Sequence, residues 1–183
     1  MRCTILLALL LFAPLAQAGD YVAAAGSTLV ARGSFDGEPM EARFTRFSPR
    51  IRFDPAQPGQ ARFDVVIELA SVASGTDDGD TLLRGAAFFA VGKHPQARFT
   101  ASGVRALGGS RFLAQGELSL RGLRRPVTLS FRWTPGARPV LEGEAVLRRL
   151  AFGVGAGEWA DTGTIGDEVK VLTRLVLAPA TKP

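Results

Sequence analysis

The stretch GELSLRGLRRPVTLSFRW, Gly116 to Trp133, constrains the fold more than any other part of the chain. In its first arm Leu118 and Leu120 alternate with Glu117, Ser119 and Arg121; in the second, Val127, Leu129, Phe131 and Trp133 alternate with Thr128, Ser130 and Arg132. A period of two puts one apolar and one polar face on each arm. Gly122 between them tolerates positive φ, and Pro126, which cannot donate to a ladder, marks the expected start of the second arm. The pattern predicts an antiparallel hairpin. A lone hairpin is not stable in water, so its apolar face must meet more sheet.

The remaining segments supply it. From Asp20 to Phe35, Ser27, Leu29 and Ala31 alternate against Thr28, Val30 and Arg32, as in one long first strand ended by Gly33, Gly37 and Pro39. Met40 to Phe53 holds Phe47, Ile51 and Phe53 on one parity and Phe44 on the other, which predicts a bulge or bend near Thr45 to Pro49. After the turn chemistry of Asp54 to Gly59, Phe63, Val65, Ile67 and Leu69 alternate with Arg62, Asp64, Val66 and Glu68. Gln96 to Leu107 and Arg111 to Gly122 flank a Gly108-Gly109-Ser110 turn, and strands follow from Pro139 and from Val169.

One interruption is long. Between Ser71 and Pro95, Thr76-Asp77-Asp78 reads as the cap of a short helix bearing Leu82 and Leu83, and Phe88-Phe89 then falls at one rim of the sheet. Eight strands with hairpin-like spacing, one helical insertion and no β-α-β alternation predict an all-β, eight-stranded antiparallel barrel.

The N-terminus stands apart. Met1-Arg2, an apolar run from Ile5 to Ala16 and the small-x-small Ala16-Gln17-Ala18 read as a secretory signal peptide over residues 1–18, cleaved after Ala18, leaving one barrel domain over 19–183. The lone cysteine, Cys3, leaves with it, so no disulfide is expected. In a Gram-negative bacterium the address would be the periplasm. Formal net charge is +5, or +4 without Arg2. Its arginines (Arg43, Arg62, Arg98, Arg111, Arg132, Arg148) are spread one or two per strand, as on a solvated face, and not clustered with aromatic platforms as nucleic-acid binding requires.

Order and wording of several segments resemble the YceI family of secreted bacterial proteins. They are RFSPRIRFDP at Arg46 to Pro55, VVIELASV at Val65 to Val72, LLRGAAFFAVGKHPQARFTAS at Leu82 to Ser102, GELSLRGLRRPVTLSF at Gly116 to Phe131, and GDEVKV at Gly166 to Val171. The resemblance implies a lipocalin-like barrel that holds an isoprenoid, quinone or other long amphiphile, a ligand and not a cofactor. Ala151 to Val169 is most similar to the subgroup associated with cytochrome b561 proteins, implying a quinone cargo and such a membrane protein as partner; a homodimer is compatible with it. Ala87 stands where the family often has Asp before the paired phenylalanines, and Thr81 where it has His before the leucine. With the apolar face turned inward, the candidate ligand-binding lining is Phe47, Phe53, Phe63, Val65, Ile67, Phe88, Phe89, Phe99, Leu118, Leu129, Phe131, Trp133 and Trp159. Small residues at inward positions (Ala101, Gly103, Ala114, Gly116, Gly143, Ala145) are expected to leave room.

Catalysis and metals find no constellation in the sequence. His94 is the only histidine, in a loop before Pro95. Asp77, Asp78 and Asp80 lack the glycine and later Glu of a calcium loop, and helix capping is the expected task. Asp167 and Glu168, considered with Glu158 as an acid pair, read better as a closing-strand ion pair with an arginine. Gly153 to Gly157 lacks the helix and acidic partner of a dinucleotide site. The expected function is binding, without enzymatic chemistry; the alternative is a filled barrel acting as a protein partner of a membrane cytochrome or in a stress response.

Overall fold

Alternation becomes strand along most of the described residues, and the strands close on themselves. The computed structural model describes residues 19–180; the expected leader, residues 1–18, and its cleavage point lie outside the described residues. The elements are β1 (Gly19–Ala23), β2 (Thr28–Phe35), β3 (Glu38–Phe44), β4 (Phe47–Phe53), β5 (Arg62–Glu68), β6 (Val72–Ala73), α1 (Asp77–Arg84), β7 (Gln96–Gly108), β8 (Arg111–Leu120), β9 (Leu123–Thr134), β10 (Val140–Arg148) and β11 (Glu168–Pro179). All ladders are antiparallel. The ring runs β1-β4-β5-β7-β8-β9-β10-β11 and closes through β1–β11, giving an eight-stranded barrel from which β2, β3 and β6 extend.

Eleven segments make eight strands because three are interrupted: β1 continues as β2, β3 as β4, and β5, across the turn Leu69–Ser71, as β6. β1 and β2 both lie along β11, with Ala24 bonded to Val176 and Thr28 opposite Arg174, so residues around Ala25 and Gly26 bulge from the ladder. Ser27 fills the gap: its hydroxyl donates to Ala24 O (2.8 Å) and accepts from the Val176 amide (3.0 Å). β3 and β4 are likewise one strand, broken at Thr45 and Arg46, within the predicted bend. There the amides of Thr45 and Arg46 are taken by Ser71, one by its carbonyl at 3.2 Å and one by its hydroxyl at 3.0 Å. That hydroxyl donates in turn to Glu68 O at 2.7 Å, all with Ser71 buried.

The second arm of the central hairpin begins earlier than expected. β9 starts at Leu123, and Pro126 lies inside it opposite Glu117. The proline is accommodated because β10 pairs with β9 only from Leu129 to Thr134, so one edge of the strand at Pro126 has no ladder to feed.

Inside, the barrel is divided. At the end where β4 meets the β8–β9 pair, Phe53, Phe63, Phe112, Phe131 and Trp133 pack together, with Phe53 1% exposed. Phe53 stands edge-on to Phe112 at 5.0 Å and to Trp133 at 4.9 Å, the preferred geometry for aromatic rings. The other half is closed by α1, the segment Gly85–Pro95 and the loop from Arg149 to Asp167. Thr76 caps α1, its Oγ1 accepting the Gly79 amide at 3.2 Å, as the sequence predicts. Outside, arginines are largely paired: Arg98 grips Asp64 with two bonds of 2.7 and 2.6 Å, holding that carboxyl below the usual range. Exposed pairs of this kind add little stability.

The Ser71 hydroxyl supports the bend, so Ser71→Ala leaves the part-buried Arg46 amide and the Glu68 carbonyl without their partner at a buried position. We expect a loss of about 1–3 kcal/mol in chemical denaturation. A variant as stable as the parent would show that the bend holds itself.

Candidate ligand-binding cavity

Between the aromatic plug and the cap lies a cavity of about 230 Å³. Its walls are apolar except for Ser34, Thr173 and Arg149. Engineered apolar cavities of about 150 Å³ stay dry and take up benzene, so this one has the size and lining to hold a slender apolar group. Eight strands enclose just enough space for this. Phe47, Val65, Ile67, Phe99 and Leu129 line the cavity yet are only half-buried. A side chain directed inward keeps accessible surface when it faces empty space, so these residues mark a hollow and not a packed core.

Nine of the thirteen predicted lining residues are on this wall: Phe47, Phe63, Val65, Ile67, Phe88, Phe89, Phe99, Leu118 and Leu129. Phe53, Phe131 and Trp133 do not line it. They belong to the plug, because the sheet curvature brings the far ends of β4 and β9 together and leaves no gap between their rings. Trp159 is also outside, packed against Phe88 with ring centroids 5.8 Å apart. Not all the small inward residues leave room for cargo. A Cβ on Gly116 would sit 2.6 Å from the Phe99 ring and one on Gly143 2.9 Å from Leu129, so these glycines admit neighbouring side chains of the wall itself.

The predicted lining omitted much of the wall, and two omissions stand out. β2 and β3 contribute Leu29, Ala31, Met40 and Ala42; Leu29 and Ala31 alternate as a strand should, but they are too small or too isolated among polar neighbours to mark an apolar wall. The other is Arg149, 5% exposed at the cavity wall. All five of its N–H groups are used: Nε donates to Gly166 O, Nη1 to Val154 O and Gly155 O, and Nη2 to Trp159 O and Ile165 O, at 2.6–3.1 Å. Burial lowers its pKa, opposed by the charges of Asp167 and Asp161. Within Leu147-Arg148-Arg149-Leu150 it looks like any surface charge. The signal was downstream, in a Gly-rich loop with no ladder of its own whose carbonyls needed a donor.

The cap is fastened in the same way. Arg121 donates to the carbonyls of Ala86 and Phe88, and the Gly155 amide donates to Ala87 O at 2.8 Å. Phe89 leans on Phe44 at 5.7 Å. Asp167 pairs with Arg148 at 3.3 Å and accepts the Leu150 amide at 3.0 Å, the closing-strand ion pair foreseen for it. Asp80 accepts the amide and hydroxyl of Ser74 at 2.6 and 2.8 Å, which hold its carboxyl below the usual range. Among the described residues no three His, Cys, Asp or Glu side chains converge as a metal site.

Plug and wall should respond differently to truncation. Phe53→Ala is expected to cost about 3–5 kcal/mol, and Val65→Ala, already facing a void, about 1 kcal/mol. Arg149→Met strands five carbonyls and should cost at least about 3 kcal/mol. Denaturant titration measures all three; equal losses at Phe53 and Val65 would contradict the division into plug and hollow.

Residues 21–177 match the YceI-like domain. A UPF0312 protein of Azotobacter vinelandii is 32% identical over 136 residues, covering 70% of this chain and 69% of its own. One from Pseudomonas paraeruginosa is 33% identical over 141 residues, covering 73% and 71%. Among solved structures, BcnA of Burkholderia cenocepacia is similar at a TM-score of 0.81 and 32% identity, covering 84% of this chain and 97% of its own. A polyisoprenoid-binding domain from Saccharophagus degradans, at TM-score 0.69 and 18% identity over 90% of this chain and all of its own, shares the fold. With the profile matched across nearly the whole described barrel, the chain belongs to the YceI-like family.

Proposed function

We propose that this protein is an exported, periplasmic carrier or sequestering protein that holds a long apolar chain, such as an isoprenoid, a quinone tail or a fatty amphiphile, inside its barrel. The carrying observation is the apolar cavity of about 230 Å³ bounded by an aromatic plug. Its one charged wall residue, Arg149, has every donor spent on backbone carbonyls, so the wall offers a ligand almost nothing but hydrocarbon contact. Each methylene buried there is worth about 0.8 kcal/mol, which gives useful affinity without any reacting group. The polyisoprenoid-binding domain of Saccharophagus degradans, similar in fold, supports the cargo class. The resemblance of Ala151 to Val169 favours a quinone among these cargoes and a cytochrome b561-type membrane protein as the partner exchanging it.

Extraction of the purified protein with organic solvent, followed by mass spectrometry, should recover a long-chain lipid. Filling the hollow should displace it: Val65→Trp is expected to weaken uptake of added polyprenol or ubiquinone by about tenfold or more, equal to about 1.4 kcal/mol, while leaving the fold intact. Preparations that never contain lipid, from a protein that binds neither compound, would end this reading.

A further inference from the structure

The end of the barrel sealed by the aromatic plug, opposite the cap, carries an unbalanced charge. β7 and β8 turn there at Gly108, Gly109 and Ser110, whose φ values are 87, 57 and 63°, and residues 105–111 are exposed without a break. Leu107, beside the turn, is 40% exposed. Behind it stand three arginines. Phe112 and Phe131 of the plug face each other across β8 and β9, so Arg111 and Arg132, opposed one rung along the same ladder, point outward. Arg105 lies opposite Leu113, two residues from Arg111, on the same outer face.

Among the described residues none of these three arginines has a side-chain hydrogen bond or an ion pair. Glu142 is opposite Arg132 on β10, but it pairs with Arg174 at 3.4 Å. Like charges directly across a ladder are destabilising. Much of the outer face avoids them by setting arginine against carboxylate, as in Arg32–Glu41, Arg46–Glu68, Arg52–Asp20 and Arg98–Asp64. At the plug end the repulsion between Arg111 and Arg132 is left standing, and a polyanionic surface would relieve it.

We propose that this hairpin tip docks the protein on an anionic lipid surface. Guanidinium forks match phosphate oxygens, and an apolar side chain ahead of cations matches the passage from headgroups to hydrocarbon. The apex favours lipid over an acidic protein: Gly108, Gly109 and Ser110 carry no bulky side chain, so Leu107 can pass between headgroups while the arginines stay at the depth of the phosphates. Because plug and tip share one end, docking directs the capped mouth away from the bilayer. Docking of this kind is independent of what the cavity holds.

Co-sedimentation of the whole protein with vesicles tests it. We expect binding to mixed phosphatidylglycerol and phosphatidylcholine vesicles, none to phosphatidylcholine alone, and loss at about 1 M salt, where the Debye length is about 3 Å. The Arg105→Glu, Arg132→Glu double variant should weaken binding at least about tenfold, and Leu107→Asp at least about fivefold. Lys93→Glu with Arg125→Glu makes the same change of charge at the capped end and should leave binding within about twofold. Equal loss in both double variants overturns the proposal, as does vesicle binding that survives either change at the tip. A polyglutamate peptide held more tightly than the vesicles would also overturn it and assign the tip to an acidic protein. A protein that takes up polyprenol but ignores the vesicles overturns the docking and leaves the carrier reading standing; one that docks as described but takes up no polyprenol does the reverse.

Discussion

Closing an antiparallel sheet on itself sets a circumference, and everything in this protein follows from how that enclosed space is filled. Once β1 meets β11, the interior is fixed by strand number, and side chains can only divide it. Here five aromatic residues are packed ring to ring at one end. Phe53, Phe63, Phe112, Phe131 and Trp133 fill their half, and the mixed aliphatic and phenylalanine wall toward the cap leaves its half hollow. The dense half supplies the burial that stabilises a barrel able to tolerate an unfilled half.

The capped end poses a different problem, since loops crossing a barrel mouth present carbonyls that no ladder satisfies. This chain answers with arginine. Arg84 serves the turn before α1, Arg121 the segment carrying Phe88, and Arg149 the whole Gly-rich loop. A guanidinium suits the task because its donors spread in a plane and reach several carbonyls at once. Most of the chain's positive charge faces solvent, but these three side chains hold the cap together.

The architecture was legible because period-two patterning survives wherever one face is wet: Phe63 to Glu68 and Gly116 to Trp133 reveal both strand and inward side without help. The bend at Thr45 and the cap at Thr76 were legible from a parity change and from capping chemistry. Pattern alone could not say which inward aromatic meets another ring and which meets a void. Phe131 and Leu129 share a strand face, yet one is plug and the other wall, and that depends on where strands cross in space. Arg149 was illegible for a related reason, since its neighbours in sequence are ordinary and its five acceptors come from a fold-back of the chain.

The aromatic stack makes the tube blind. A linear guest could not thread through it, and would have to leave at the capped end by which it entered. Depth from Phe53 to the cap would then act as a ruler, and whatever exceeded it would protrude.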